Sequence, residues 1–158
     1  MFRHIIGDSG DSCRKQAIID NHSCVLEILD SGEQEEYTAL RDQWIRDGDG
    51  FLLVYSIATR SSFEVIERFH DLITRVKDTE QIPIVLVGNK NDKITEREVS
   101  REEGMNMARR LKCAFIETSA KYGVNVDRAF YDVVRMVRQN REGGNSRKNK
   151  KKGKCAIL

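Results

Sequence analysis

Two uninterrupted apolar runs constrain the fold of this 158-residue chain more than any other feature of its sequence. They are Phe51–Ile57 (FLLVYSI) and Ile82–Val87 (IPIVLV). A strand without polar alternation has both faces covered, which is the usual environment of a parallel strand in an α/β protein. Pro83 stands at the start of its run, where a missing backbone N–H is tolerated. The sequence therefore predicts a largely parallel sheet with helices on both faces.

Shorter segments extend this pattern. Strands are predicted at Phe2–Ile6 and Ala114–Glu117. Two further strand segments, Ser12–Ile19 and Cys24–Leu29, flank the turn-rich link Asp20–Ser23 and predict an antiparallel hairpin. The expected fold class is an α/β open mixed sheet, mostly parallel, with this hairpin at one edge.

Amphipathic segments between the strands predict helices. The clearest is the last, whose apolar residues follow the i, i+3, i+4, i+7 spacing of one helix face: Val126, Ala129, Phe130, Val133, Val134 and Val137. Two earlier helix starts carry the pattern of a capping box, Ser61 with Glu64 and Ser100 with Glu103. We expect a helix to begin directly after each of these serines.

The charge is divided unevenly between a body and a tail. The whole chain carries a formal net charge of +2, and residues 141–158 hold seven Lys or Arg and one Glu, which gives +6. Residues 1–140 therefore carry −4, the difference between +2 and +6. We expect one globular domain over residues 1–140 and a flexible basic tail over 141–158, and only the tail is expected to seek anionic surfaces.

Cysteine usage and apolar content argue against several protein classes. The four cysteines form no CxxC pair and show no metal-ligand spacing with the three histidines. This usage is typical of a reduced intracellular protein. No stretch approaches the roughly 18 apolar residues of a membrane span, and no signal-peptide pattern opens the sequence, so neither feature is expected.

A candidate guanine-binding pattern follows the second apolar run. The stretch Asn89-Lys90-Asn91-Asp92 ends in a carboxylate, which can accept hydrogen bonds from the N1–H and the exocyclic amino group of guanine. Adenine offers no such pair of donors. The pattern alone also fits an ordinary turn, since Asn and Asp favour turns.

A second motif at the same sheet edge favours the guanine pocket over the turn. Glu117-Thr118-Ser119-Ala120-Lys121 ends the next predicted strand. Because the carboxyl ends of parallel strands share one edge of the sheet, both motifs are expected to meet there. A backbone N–H of the second motif can then reach the O6 atom of guanine.

Several segments, in this order along the chain, are typical of one family: DSCRKQAIID, EQEEYTALRDQW, GDGFLLVYSI, RVKD, VLVGNKND, FIETSAK and a terminal CAIL. With them the chain resembles a Ras-family small GTPase over nearly its whole length from Asp11. The resemblance implies a G-domain fold and a guanine-nucleotide switch with GTP, GDP and Mg²⁺ as ligands. It also implies exchange factors, GTPase-activating proteins and effectors as partners.

The same resemblance implies roles for individual residues. Two sets match the base-contacting motifs of the family: Asn89, Lys90 and Asp92, and Ser119, Ala120 and Lys121. Asp30 matches the aspartate that holds magnesium through water. Gln34 matches the catalytic glutamine that orients the attacking water.

The chain departs from the family at the phosphate loop. Gly7-Asp8-Ser9-Gly10 resembles the start of that loop, but the next residue already resembles the second strand of the family. About two dozen residues are missing between them, including the phosphate-gripping Lys, the magnesium-binding Ser or Thr, the first helix and the first switch threonine. Lys15 is not expected to replace the missing Lys, because it belongs to a strand and has no cradle of N–H groups around it. GTP hydrolysis is therefore expected to be weak or absent.

A second departure concerns Glu33. The family pattern is Asp-x-x-Gly-Gln, and this chain has Asp30-Ser31-Gly32-Glu33-Gln34. Glu33 stands where a glycine N–H approaches the γ-phosphate, and it adds a Cβ atom and a negative charge there. The alternative is that Glu33 begins an acidic helix and points to solvent, and the sequence leaves both interpretations open.

Loss of the first helix is expected to uncover one sheet face beside the last helix. At about 25 cal/mol per Å² of apolar surface, a few hundred Å² would cost several kcal/mol of stability. We therefore expect a recognisable but loosened domain that does not withstand heating beyond about 55 °C.

The last four residues, Cys155-Ala156-Ile157-Leu158, form a CaaX box whose final Leu predicts geranylgeranylation of Cys155. One lipid chain binds a membrane only marginally, and the basic tail supplies a second signal of about 1 kcal/mol per charge at an anionic surface. The expected location is the cytoplasmic face of the plasma membrane or of another internal membrane. A solvated tail with a chance cysteine is the alternative, and no nucleic-acid partner is expected because no aromatic residue lies among the lysines.

Three functions stay open at this point. The first is a membrane-anchored GTPase that signals by its nucleotide state. The second is a prenylated binding module that does not switch. The third is a truncated product, such as that of a skipped coding segment, which has no catalysis and no independent role.

Overall fold

The computed structural model describes residues 12–30, 38–79, 81–143 and 154–157. In chain order the elements within these ranges are β1 (Ser12–Ile19), β2 (His22–Asp30), α1 (Thr38–Asp47), β3 (Gly50–Ser56), α2 (Arg60–Glu64), α3 (Ile66–Lys77), β4 (Ile84–Asn89), a 3₁₀ turn (Ile94–Glu96), α4 (Arg101–Arg110), β5 (Ala114–Glu117), α5 (Val126–Gly143) and β6 (Lys154–Ile157). The predicted strand Phe2–Ile6 lies outside the described residues.

The strands form one six-stranded sheet in the order β1-β2-β6-β3-β4-β5. β1 and β2 are antiparallel, and the other neighbouring pairs are parallel. The hairpin turns at Asp20 and Asn21, whose φ angles of 54° and 60° are those of the two central residues of a type I′ turn. The predicted fold class, a mostly parallel sheet with one antiparallel hairpin at its edge, is confirmed.

The apolar run in β3 is buried on both faces of the sheet, as its composition predicts. On one face Phe51, Leu53 and Tyr55 pack in a cluster that also contains residues of α1, α2, α3 and α4. On the other face Leu52 packs in a cluster with residues of β4, β5 and α5. α5 comes close to the sheet at Gly50, where an added Cβ atom would lie only 2.5 Å from a methyl carbon of Val133.

α5 also covers the edge hairpin. Tyr131 and Val134 pack against the buried apolar residues of the two hairpin strands, Ala17, Ile19 and Leu26. Arg135 donates two hydrogen bonds to the Asp20 carboxylate, both at 2.9 Å. The last helix therefore connects the hairpin to the centre of the sheet.

The sheet contains one strand that the sequence analysis did not predict. β6 runs parallel to both of its neighbours, with Cys155 opposite Ile28 of β2 and Gly50 of β3. Residues 154–157 thus differ from the expected flexible tail, and α5 continues beyond the expected boundary at residue 140 to Gly143. The physical reason is that β2 and β3 both offer unpaired backbone groups toward the space between them, and an extended segment satisfies both rows.

The predicted capping box at the start of α4 is confirmed. The Glu103 N–H donates to Ser100 Oγ at 3.2 Å, and the Ser100 N–H donates to Glu103 Oε2 at 2.8 Å. Arg60, at the start of α2, also donates to the Glu103 carboxylate at 2.6 Å. Together these contacts lower the pKa of Glu103 to about 2, with the hydrogen bond from Arg60 as the largest cause.

The other predicted capping box, Ser61 with Glu64, is wrong. α2 already begins at Arg60, and no side chain caps its first turn. The side chain that forms hydrogen bonds here is that of the neighbouring Ser62. Its Oγ accepts from the Ser56 N–H at 3.0 Å and donates to the Thr59 carbonyl at 2.7 Å. A hydroxyl one position away from the pattern thus binds the end of β3.

The Glu103 contacts predict a pH dependence of stability. Because the pKa of Glu103 is lower in the folded chain than in the unfolded one, its contribution is complete above the ordinary pKa of 4.5 and is lost as the pH falls toward about 2. We expect Glu103→Gln to reduce the fall in urea midpoint between pH 5 and pH 2. Glu102→Gln removes the same charge from the same turn and serves as the control, and an identical slope for Glu103→Gln and the native chain would contradict the prediction.

Tyr55 predicts a stabilising substitution. Its hydroxyl is buried and has no hydrogen-bond partner among the described residues, and burial raises the pKa of Tyr55. Because an unsatisfied buried hydroxyl costs about 1–3 kcal/mol, Tyr55→Phe is expected to raise the free energy of unfolding by about 1 kcal/mol. Urea denaturation measures this change, and Tyr122→Phe, at a side chain that is 65% exposed, is the control. A destabilised Tyr55→Phe variant would mean that the hydroxyl has a partner.

Candidate functional site

The two polar motifs meet at the carboxyl edge of the sheet, as predicted from their positions after neighbouring strands. Asn89 is the last residue of β4, and Glu117 is the last residue of β5. The strands are in parallel register, with Gly88 opposite Glu117, and the Thr118 N–H donates to the Gly88 carbonyl at 2.9 Å. The loops that follow the two strands therefore start side by side.

The Asn89 side chain joins the two loops. Its Oδ1 atom accepts from the Thr118 hydroxyl at 3.2 Å and from the Ala120 N–H at 3.1 Å. In the opposite direction, the Asn91 N–H donates to the Thr118 carbonyl at 3.0 Å. The two bonds to Oδ1 fix the amide of Asn89 with its oxygen toward the second loop, and the third bond holds the backbones of the two loops together.

Asp92 and Ser119 form the second link between the loops. Ser119 is fully buried, and its hydroxyl donates to Asp92 Oδ1 at 2.6 Å. This hydrogen bond is the largest cause that lowers the pKa of Asp92, so the carboxyl is ionised at neutral pH. An ionised carboxylate accepts hydrogen bonds and donates none, which suits a base edge that carries two donors.

The two lysines of the motifs lie at the exposed rim of the site. Lys90 has a φ angle of 65°, a left-handed conformation that turns the chain between Asn89 and Asp92. The Lys121 ammonium lies 5.0 Å from the ring centroid of Tyr122, within the range of a cation–π contact. The structure thus brings all six predicted base-contacting residues to one place.

Two supporting residues were missed by the sequence analysis. Thr118 holds Asn89 and was present in the quoted motif without an assigned role. Arg97 donates to both carboxylate oxygens of Glu117, at 2.7 and 3.1 Å, and to the Val99 carbonyl. Twenty residues separate Arg97 from Glu117, and no local pattern connects them, so the sequence gives no signal for this pair.

A small apolar cavity of about 50 Å³ adjoins the base site. The base site contributes Asn89, Thr118 and Ala120 to its wall, and the rest consists of apolar residues of the sheet and of α5: Leu52, Val54, Val87, Val126, Ala129 and Phe130. The cavity lies on the sheet face beside the last helix, where the sequence predicts a surface without its first helix.

Of the residues predicted to contact the phosphates or magnesium, only Asp30 lies among the residues that the structure describes. Asp30 ends β2, whereas Gln34, Glu33 and the loop remnant Gly7-Asp8-Ser9-Gly10 lie outside the described residues. Within the described ranges, no group of three or more His, Cys, Asp or Glu side chains could hold a metal ion. In the described part of the chain, the predicted site residues at this edge of the sheet are therefore those of the two base motifs, and Asp30 lies at the end of β2.

Two other residues of the sequence analysis have clear positions. Lys15 lies in β1, with its Nζ atom 3.9 Å from a carboxylate oxygen of Asp127, in agreement with its assignment to a strand. Cys155 lies in β6. In the described part of the chain, no helix is both long and apolar enough to cross a membrane.

Comparison with known proteins gives matches to one protein family over most of the chain. The model of the Ras family matches residues 4–139. The chain is 55% identical over 150 residues to Ras-like protein 1 of Pyricularia oryzae, an overlap that covers 84% of this chain and 62% of the relative. It is 53% identical over 155 residues to protein ras-2 of Neurospora crassa, which covers 86% and 68%. It is 48% identical over 150 residues to Ras-like protein RAS2 of Hydra vulgaris, which covers 94% and 78%. The chain thus spans about two thirds of the length of the first two relatives.

Proposed function

Because this chain belongs to the Ras family of small GTPases, we propose that it is a membrane-anchored guanine-recognising module in which phosphate binding and GTP hydrolysis are impaired. The single observation that carries the proposal is the bonded pair of loops, in which Asn89 and Asp92 are held in place by Thr118, Ser119 and Ala120.

The residues of the loops would recognise guanine by complementary hydrogen bonds. The ionised Asp92 carboxylate accepts from the N1–H and the exocyclic amino group, and the Asn89 amide donates to the other edge of the base. The Ala120 N–H, which donates to Asn89 Oδ1 at 3.1 Å, is the donor of the second loop that would take the O6 atom as a further acceptor. An adenine in the same place would leave the carboxylate without its donors, and this loss supplies the selectivity.

The phosphate-binding part of the proposed site is incomplete. A bound magnesium ion would neutralise phosphate charge, and Asp30 is the residue that would hold it through water. The lysine that grips the phosphates and the hydroxyl that binds magnesium in the family are missing from the sequence between Gly10 and Asp11. Without them, the affinity rests on the base. At about −0.4 kcal/mol for each of the roughly eleven non-hydrogen atoms of guanine, the base contributes about −4 kcal/mol, which corresponds to a Kd of about 1 mM.

Calorimetry tests the nucleotide part of this function. The full chain is titrated with GDP and separately with ADP, each with magnesium chloride. We expect weak binding of GDP near the millimolar range and no heat from ADP. Submicromolar affinity for GDP would refute the impaired phosphate grip, and equal affinities for GDP and ADP would refute guanine recognition.

The membrane part of the proposal rests on the CaaX box and on the basic residues before it. Geranylgeranylation of Cys155 would add an apolar anchor, and the cluster of lysines would add attraction to anionic lipid, which together give the two signals that stable anchoring needs. The proposed location is the cytoplasmic face of the plasma membrane or of another internal membrane. Sedimentation of the lipidated chain with vesicles of phosphatidylserine and phosphatidylcholine tests this, and Cys155→Ser is the control that cannot take the lipid.

A second candidate function follows from the same missing stretch. A prenylated module that never exchanges nucleotide would occupy membrane or partners without switching, and exchange factors, GTPase-activating proteins and effectors are the partner classes that the family suggests. Complete absence of GDP binding at 10 mM nucleotide, together with vesicle binding, would favour this module. Sequencing of the transcript across Gly10 and Asp11 would show whether a coding segment has been skipped.

A further inference from the structure

We propose that the gap between β2 and β3 is a strand-accepting slot occupied by Lys154–Ile157, so that this segment has two mutually exclusive fates, as the central strand of the sheet or as the acceptor of a prenyl group. The inference rests on the lipidation given under the proposed function. It adds that folding of the chain itself controls access to Cys155.

The slot is defined by hydrogen bonding on both of its sides. Along β2, the four residues from Lys154 to Ile157 pair with Glu27 to Asp30. Along β3, the three residues from Cys155 to Ile157 pair with Gly50 to Leu52. No pairing joins β2 directly to β3 in the described sheet, so the two strands meet only through β6.

The chain can reach this slot without crossing the molecule. α5 ends near the amino edge of the sheet, where Arg141 pairs with Asp49, one residue before β3, at 2.9 Å. A parallel strand between β2 and β3 must start at that same edge. The ten residues 144–153 can span up to about 33 Å when extended, which is several strand spacings of about 4.8 Å.

An empty slot would be unfavourable. The facing edges of β2 and β3 would each expose a row of backbone donors and acceptors in the middle of a sheet, and such groups are almost always paired in folded proteins. The hairpin of β1 and β2 would also lose its backbone connection to β3. The four-residue segment therefore stabilises the sheet, and this effect does not depend on any lipid.

The same segment cannot accept a lipid while it is a central strand. In prenyl transfer, the Cys155 thiolate attacks C1 of geranylgeranyl diphosphate, a C–S bond forms, the C–O bond breaks, diphosphate leaves, and the thiol proton passes to solvent. A transferase must surround the four residues with its own groove. With a strand about 4.8 Å away on each side, no such groove can reach the backbone of β6. Lipidation therefore requires that the segment leave the sheet.

Engineered disulfides test the occupancy of the slot. Residues opposite each other on adjacent strands lie about 4.8 Å apart, which is within the Cα range of a disulfide, whereas the next position belongs to the other face of the sheet. Ile28→Cys is opposite Cys155, and Leu29→Cys is its matched control, opposite Ala156. Both are made with Cys13→Ser, because Cys13 is opposite Ile28 on the β1 side.

Mild oxidation of the full chain should give a cross-link between positions 28 and 155 within one molecule, identified by mass spectrometry, and none from position 29. Equal or absent cross-links would show that Cys155 does not lie opposite position 28 in the slot, and would overturn the inference. A cross-link between two molecules would overturn it as well, because the occupant would then be a second copy.

Prenyl transfer kinetics test the exclusive fates. Lys154→Glu places a negative charge opposite Glu27 of β2 and disfavours the strand, while it leaves the CaaX residues unchanged. Lys152→Glu makes the same change of charge outside β6 and is the matched control. With a geranylgeranyltransferase and geranylgeranyl diphosphate, Lys154→Glu should accept lipid about two- to fivefold faster than Lys152→Glu, because the competent fraction limits the rate. Equal rates would overturn the inference. If no variant accepts lipid, the proposed lipidation is wrong, and the two exclusive fates are wrong with it. A cross-link at position 28 would then still show that Lys154–Ile157 occupies the slot, so this failure can be distinguished from a wrong assignment of β6.

Discussion

Replacement of Asp92 by Asn will remove the preference of this chain for guanine over adenine nucleotides. The substitution keeps the size of the side chain, and an amide oxygen can still accept from Ser119. It loses the charge that receives the two donors of guanine and offers an NH₂ group to them instead. Hydrogen bonds to a charged group contribute about 1.5–3 kcal/mol each, so the loss of both weakens GDP binding by about 100-fold or more.

The measurement for Asp92→Asn is a saturation-transfer NMR titration of the full chain with guanosine and adenosine diphosphates. GDP signals should fall to the level of ADP in the variant. The matched control is Asp71→Asn on α3, whose side chain is 75% exposed, and it should leave the preference for GDP unchanged. Retained discrimination in Asp92→Asn would show that recognition lies elsewhere on the molecule.

Ser119→Ala separates the position of the carboxylate from its charge. Ser119 is fully buried and touches Asp92 through a bond of 2.6 Å, which also lowers the pKa of that carboxyl. Without this bond the carboxylate keeps its charge at neutral pH but loses one fixed orientation. A smaller loss of GDP binding than in Asp92→Asn is therefore expected in the same titration.

The sequence predicts the elements of the base site because the relevant signals are local. The run in β3 and the run in β4 lack polar alternation, which indicates burial on both faces, and a polar motif follows the carboxyl end of β4 and of β5. Parallel strands then bring Asn89 and Ser119 to one edge without any knowledge of the packing. The hairpin turn is also predicted from a local signal, because two adjacent residues that favour turns, Asp20 and Asn21, form it.

The parts that escaped prediction depend on contacts between distant segments. Arg97 and Glu117 meet although neither residue differs in type from the many exposed charges of the chain. The segment after the 3₁₀ turn is held by two N–H groups, of Glu98 and Val99, that donate to the Ile57 carbonyl directly after a different strand, β3. β6 is the stronger example. Four residues beside a run of lysines carry no strand periodicity, and they form a strand only because β2 and β3 leave a space between them.

Loss of the charge of Glu117 is expected to have the largest effect on stability among single polar substitutions in this site. The side chain of Glu117 is 10% exposed and that of Arg97 is 24% exposed, so both are largely removed from water. Glu117→Gln leaves the Arg97 guanidinium in that environment without its counter-charge. Breaking a fully buried pair costs about 3–5 kcal/mol, and the partial exposure of Arg97 reduces this to about 2–3 kcal/mol.

This prediction is measured by urea denaturation and by thermal unfolding, in which about 2–3 kcal/mol corresponds to a fall in Tm of about 4–12 °C for a chain of this size. Glu67→Gln is the control, because Glu67 pairs with Arg110 at a similar distance of 2.9 Å on the surface, and its loss should cost less than about 1 kcal/mol. Equal losses in the two variants would mean that burial does not strengthen the Arg97–Glu117 pair.

The same ion pair also connects stability to the base site. Glu117 is the residue directly before the loop 118–125, and its carbonyl accepts from the side chain of Asn125, the last residue of that loop, at 2.9 Å, so it contacts both ends of the loop. A double variant, Arg97→Met with Glu117→Leu, removes both charges and should recover most of the lost stability. Hydrogen exchange at residues 118–121 is measured in the same variant. A return to the protection of the native chain would mean that the loop is disturbed in Glu117→Gln only because the Arg97 charge is left without a partner. Faster exchange that persists despite recovered stability would show that the bidentate geometry itself positions the loop for guanine.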